Sequence, residues 1–106
     1  MFFNSDCGWQ EIDENVQRQI TGFNAGLMMV NVLFKKGGIG PLHSHPHTQA
    51  TYIAKGVFEV TIGGETKTLG AGDSFFVMPN MVHCVVCHED GMLVDVFNPV
   101  REDFIK

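Results

Sequence analysis

Short apolar runs alternate with glycine-rich turns along the whole chain. Runs rich in Val, Ile, Phe and Thr recur about every 8–12 residues, the rhythm of an all-β domain. Residues 26–35 (Gly-Leu-Met-Met-Val-Asn-Val-Leu-Phe-Lys) predict a long apolar strand, followed by a loop over 36–41. Residues 50–62 predict another strand, which Gly56 interrupts as a bulge or a close approach. Gly63-Gly64 predicts a hairpin turn, and Gly70-Ala71-Gly72-Asp73 a second turn. Residues 74–78 (Ser-Phe-Phe-Val-Met) predict a buried strand that Pro79 stops. Two further strands are expected at 82–87 and 92–97, separated by a polar turn at His88-Glu89-Asp90-Gly91. Over 15–22, Val16 and Ile20 suit either the helical or the strand period, and the reading leans to strand. The tail from Asn98 is charged and carries two apolar anchors, Phe104 and Ile105. No long helix is expected, so the strands must bury their core as a sandwich or a closed barrel.

The chain has 106 residues, which bounds it to one domain spanning 1–106. Its net charge of −5 argues against nucleic acid or an anionic membrane as a general partner. A small anionic substrate stays compatible, because a metal or one arginine can set the local field. Three cysteines in a short chain do not make a disulfide framework. The N-terminal Met-Phe-Phe-Asn-Ser-Asp has no basic region before a long apolar run, and no stretch reaches transmembrane length. A cytoplasmic setting is the resulting expectation.

Three of the five histidines fall in residues 43–49, His-Ser-His-Pro-His-Thr-Gln. In an extended chain, His43 and His45 share a face about 6–7 Å apart, which suits two imidazoles to one metal ion. A surface histidine cluster is the alternative.

The run Gly37, five residues, His43-x-His45, three residues, Gln49, six residues, Gly56 resembles the first motif of the cupin superfamily, where glutamate usually stands in place of Gln49. Gly72 through Pro79 to His83 resembles the second motif, with the glycine-to-histidine spacing of eleven. Its proline is displaced by one, Asn80 stands at the usual glycine and Cys87 at the usual asparagine. The resemblance covers residues 37–87. It implies a cupin-type β-barrel (jelly roll, double-stranded β-helix) and a metal held by His43, His45, Gln49 and His83. It also makes a homodimer the expected assembly, since small cupins often pair through sheet edges.

Residues 95–104, Asp-Val-Phe-Asn-Pro-Val-Arg-Glu-Asp-Phe, resemble the C-terminal signature of the pectin-degradation (KdgF) cupins. The glutamine in the first motif and the Trp9 to Gly22 start are similar to that family too. The resemblance implies ring opening of 4,5-unsaturated monouronates to linear keto sugar acids, with catalytic roles for Asp95, Phe97 and Arg101. One departure is His47-Thr48-Gln49, where such cupins often carry an acidic residue before the glutamine.

Residue chemistry can be weighed beside this. Three imidazoles and an amide are neutral, so a bound divalent ion keeps its full charge and polarises oxygen more strongly than beside a carboxylate. Such donors accept Zn, Ni, Fe, Mn or Cu. Asp95 sits in an apolar run and shares a strand face with Leu93 and Phe97, opposite Met92, Val94 and Val96. If that face is interior, its carboxyl suits acid–base work. Arg101 offers a fork for a carboxylate, or pairs with Glu102 or Asp103. Phe97 is a wall for a sugar ring or core packing. Cys84 and Cys87, three apart on a strand, face opposite sides and make no redox pair, with Cys87 expected to pack near His83. His47 is a candidate substrate contact, His88 a turn residue and Tyr52 an interior hydroxyl. The competing functions are a cupin-type non-haem iron dioxygenase and a non-catalytic sugar-binding module.

Overall fold

The structure is a computed structural model that describes all 106 residues. Eight strands run in the order β1 (Trp9–Asp13), β2 (Val16–Phe23), β3 (Met28–Phe34), β4 (Ile39–His43), β5 (Thr48–Ile62), β6 (Glu65–Gly70), β7 (Ser74–Val77) and β8 (His83–Asn98). The only helical element is a 3-10 turn over Glu102–Phe104. No helix is long and apolar enough to cross a membrane. The all-β expectation holds.

The architecture follows from two long strands. β5 and β8 pair antiparallel over nearly their whole length, from Thr48 opposite Asn98 to Ile62 opposite His83. Both bend, with register shifts between Ile53 and Phe58. One end of the pair is flanked by β3 and β7, with β2 and β1 beyond β3, and the other end by β4 and β6. The two halves fold over each other as a β-sandwich. Phe34, Ile53, Phe58, Val60, Val85 and Leu93 fill one part of the core, and Met28, Val30, Phe97 and Val100 the other. Phe34 and Phe58 meet edge to face at 5.2 Å. Full burial of such side chains is worth about 1.5–3 kcal/mol each.

The bend explains the largest difference from the sequence reading. Residues 83–87 and 92–97 belong to one strand, and 88–91 are not a turn. Gly56 and Gly91 cross back to back, and a Cβ on Gly56 would lie 2.6 Å from the Gly91 Cα. Two glycines without side chains let the paired strands curve there while the chain stays extended. The expected close approach at Gly56 is therefore real. Gly63 and Gly64 both have positive φ (56° and 87°), as a tight hairpin requires.

Other elements are adjusted. Residues 15–22 are strand, as leaned to, and β1 precedes them. The loop over 36–41 is shorter than expected, because Ile39 already pairs with Val86. The strand at 74–78 is not buried: Val77 faces the core, but Phe76 points outward on a face that nothing covers. Tyr52 is on that outer face as well and is no interior hydroxyl. Met29, Val96, Ala50 and Phe76 lie side by side there, across β3, β8, β5 and β7.

Candidate active site

His43 ends β4, and His83 begins β8 directly opposite it. His45 follows in the connection to β5, and Gln49 is the second residue of β5. Strand end and loop, not a straight strand, thus bring His43 and His45 together. A nitrogen from each of His43, His45 and His83 lies within 4.8 Å of the others. Their ring centres are 4.3 to 5.5 Å apart. His45, His83 and Gln49 are buried, and His43 is exposed at the rim.

The hydrogen bonds define which nitrogens are free. Nδ1 of His43 faces the Pro41 carbonyl at 2.7 Å, Nδ1 of His45 the His47 carbonyl at 3.2 Å, and Nδ1 of His83 the Met81 carbonyl at 2.9 Å. A carbonyl only accepts, so each Nδ1 carries the proton and each Nε2 presents a lone pair. Nε2 of His83 is buried with no partner. Nε2 of His45 faces Oε1 of Gln49 at 2.9 Å. The amide cannot turn to donate there without losing its own contacts, because its Nε2 donates to Thr51 Oγ1 at 2.9 Å and to Asp95 at 3.4 Å. Two acceptors therefore confront each other beside an unpartnered buried nitrogen. A cation shared among them resolves both defects, and the donor set fits a divalent transition metal. Burial, the largest effect, and the neighbouring histidine charges push the pKa of His83 down. Burial does the same to His45, partly offset by its Gln49 contact. Both favour the neutral, ligating form.

A cavity of about 250 Å³ opens onto this group. His43, Gln49, His83, Asp95, Phe97 and Arg101 all line it. The parity argument for β8 thus holds: Leu93, Asp95 and Phe97 face inward. Asp95 accepts a hydrogen bond from Thr51 Oγ1 at 2.6 Å. Burial pushes its carboxyl up to about 6, against the opposing pull of Thr51, Arg101 and Gln49. Phe97 is almost fully buried, edge-on to His45 at 5.7 Å and to Phe104 at 5.7 Å, so it is both core and wall. Arg101 pairs in a fork with Asp103, Nε to Oδ1 at 3.0 Å and Nη2 to Oδ2 at 2.8 Å. Its guanidinium lies over Phe104 at 4.2 Å from the ring centre.

Several residues fall outside the cavity. His47 holds the Val100 carbonyl at 3.2 Å through Nε2 and packs beside His45. His88 is in β8, exposed, beside Glu59 at 3.4 Å, and is not a turn residue. Cys87 is buried in the core and donates to the Glu89 carbonyl, while Cys84 lines the cavity. Both are free thiols. The sequence reading missed Thr51, which shares the inward face of β5 with Gln49, a signal strand parity could have given. It also missed Arg18 of β2, which lines the cavity and which nothing local singled out.

Asn80 adopts a left-handed conformation (φ 64°), as its place at a customary glycine suggested. The Cupin domain family model matches residues 30–97. The chain is 42% identical over 106 residues to the pectin degradation protein KdgF of Dickeya dadantii (strain 3937), covering 98% of this chain and 96% of that protein. It superposes on the KdgF structure from Halomonas sp. with a TM-score of 0.94 at 36% identity, covering 98% of this chain and 99% of that one. An RmlC-like cupin from Shewanella frigidimarina NCIMB 400 gives a TM-score of 0.92 at 44% identity, covering 96% and 92% of the two chains. A matching family model and similarity along the whole length lead to one assignment: the chain belongs to the cupin family and is similar over nearly its whole length to KdgF proteins.

Proposed function

We propose that this protein opens and ketonises 4,5-unsaturated monouronates derived from pectin or alginate. The observation that carries the reading is one cavity shared by His43, Gln49 and His83 with Asp95, Phe97 and Arg101. The similarity to proteins named for pectin degradation supports the substrate class.

The reaction is an isomerisation. In the cyclic substrate, the bond from C1 to the ring oxygen breaks as the anomeric hydroxyl gives up its proton, leaving an aldehyde. The ring oxygen takes a proton and becomes an enol at C5. The enol then loses that proton as C4 gains one, which gives the ketone. No electron acceptor and no water are consumed. His43, His45, Gln49 and His83 would hold a divalent metal, one of Zn, Ni, Fe or Mn. When bound, that ion supplies Lewis-acid polarisation of an adjacent substrate oxygen. Asp95 moves the proton, its Oδ1 steadied by Thr51 and its other oxygen left for substrate. A carboxyl near 6 both accepts and releases protons around neutrality. Phe97 forms a wall against the sugar ring, and Arg101, held in place by Asp103, attracts the substrate carboxylate.

A second copy of the chain is part of the proposal, covering the outer face around Met29 and Phe76. A dimer mass by light scattering is expected, and a monomer mass contradicts it.

Purified, metal-loaded protein is expected to bleach the conjugated ultraviolet absorbance of unsaturated monouronates well above the buffer rate. Loss no faster than in buffer overturns the reading. Oxygen uptake with an iron-loaded sample would point to a dioxygenase, and uronate binding without turnover to a binding module. His83→Ala removes one of four donors, and metal affinity is expected to fall by about tenfold or more, in line with the roughly 10–100-fold losses seen even for outer-sphere changes, with metal content after dialysis falling accordingly. Retention of the full metal content would exclude His83 as a donor.

Asp95 also has a stability signature in chelator-treated protein. Its folded-state pKa is raised from 3.8 to about 6, so the folded chain binds more protons than the unfolded chain between those values. Stability is therefore lost as pH rises through this window, by on the order of 3 kcal/mol above it. Asp95→Asn removes the titration and keeps an acceptor for Thr51. The melting temperature of the variant is expected to gain on the wild type between pH 4 and 7.5, and a constant difference would contradict the burial account.

A further inference from the structure

Arg18 belongs to β2, on the side of the cavity away from the histidines in sequence. Val16 and Arg18 line the cavity, while Gln19 points the other way. Gln19 is fixed there: its amide donates to the Ser5 and Cys7 carbonyls at 2.9 and 2.8 Å and accepts from Asn31 at 3.1 Å. Strand alternation then directs Arg18 inward. Its guanidinium lies over the Phe104 ring, 3.8 Å from the centre, and the Arg101 guanidinium lies 4.2 Å from the same centre. Two cations thus share one aromatic ring at the wall of a single cavity.

Their hydrogen bonding differs. Asp103 occupies the Nε and Nη2 edge of Arg101. Arg18 makes one bond, from Nε to Gln10 Oε1 at 3.3 Å, and both of its Nη nitrogens are without a partner in the chain. Burial, with the Arg101 charge second, pushes its pKa down, so the site holds this charge at a cost that Asp103 only partly offsets. The charges do not balance in the cavity. Asp103 and Asp95 can neutralise two arginines, which leaves nothing for a divalent ion on neutral donors. A carboxylate offsets part of that excess positive charge, and its two oxygens match the open Nη pair.

We infer that Arg18 is a specificity-determining residue: its free Nη pair binds the substrate carboxylate at Phe104 together with Arg101, and selects uronates over neutral sugars. This deepens the proposed function and rests on it for the identity of the substrate.

The test compares wild type, Arg18→Gln and Arg18→Lys, each checked for folding by its melting temperature. On unsaturated monouronate, KM of Arg18→Gln is expected to rise tenfold or more, and by a larger factor than kcat falls. Arg18→Lys recovers part of the loss. A second arm needs no turnover: galacturonate and its uncharged methyl ester are titrated calorimetrically into each protein. Wild type is expected to favour the acid by tenfold or more, the range for one hydrogen-bonded charge. Arg18→Gln loses most of that preference while its affinity for the ester stays close to wild type. Equal acid-over-ester preference in wild type and Arg18→Gln overturns the inference, as does a wild type without preference. Equal weakening of acid and ester would instead assign Arg18 to packing on Phe104 and also overturn it. Because the titration is independent of catalysis, a wild type that binds uronate by this pattern but does not turn it over refutes the proposed reaction and leaves Arg18 as a carboxylate reader.

Discussion

The pairing of β5 with β8 is the constraint on which the rest depends. Its register sets Gln49 beside Phe97 and Thr51 beside Asp95 at one end, and Ile62 beside His83 at the other. A slip of β5 by one residue would turn Gln49 and Thr51 to the outer face and part them from Asp95. The same pair supplies the curvature that closes the sandwich, through the glycine crossing at Gly56 and Gly91. The proposed substrate wall, the proposed acid–base group and two of the four proposed metal donors therefore ride on one antiparallel ladder.

What that ladder assembles is an electrostatic arrangement that is incomplete within the chain. Three imidazoles are oriented by backbone carbonyls so that their free nitrogens converge, and burial lowers the pKa of His45 and His83, which favours their neutral form. Gln49 is held with its oxygen toward His45 by Thr51 and Asp95. A cation satisfies one side of the cavity. Across from it, Arg18 and Arg101 gather at Phe104, and an anion satisfies that side. A small molecule that carries a carboxylate and adjacent oxygens would span both, the basis for proposing a sugar acid rather than a neutral sugar.

Much of this was legible in the sequence because it is local or periodic. The resemblance to the two cupin motifs grouped His43, His45, Gln49 and His83, and strand parity put Asp95 and Phe97 on one face with Leu93. The turn residues at Gly63-Gly64 and Asn80 carry their conformations in their chemistry. The misreadings have physical causes. His88-Glu89-Asp90-Gly91 looks like a turn because its residues are polar, yet the bend needs only Gly91, and the polar side chains face solvent along a continuous strand. Phe76 and Tyr52 read as interior from the apolar runs around them, but they lie on an exposed outer face of the sheet. Arg18 could not be found at all: its position over Phe104, a residue far along the chain, is one that only folding creates.

The central claim is that one cavity joins a metal held by four neutral donors to the Asp95 acid–base group and a carboxylate site. A crystal structure of the metal-loaded protein soaked with a saturated uronate tests it most directly. The account predicts the ion on Nε2 of His43, His45 and His83 and on Oε1 of Gln49, with the sugar against Phe97 and its carboxylate turned toward Arg101 and Arg18. An ion bound elsewhere, or a uronate whose ring lies away from Asp95, would contradict it.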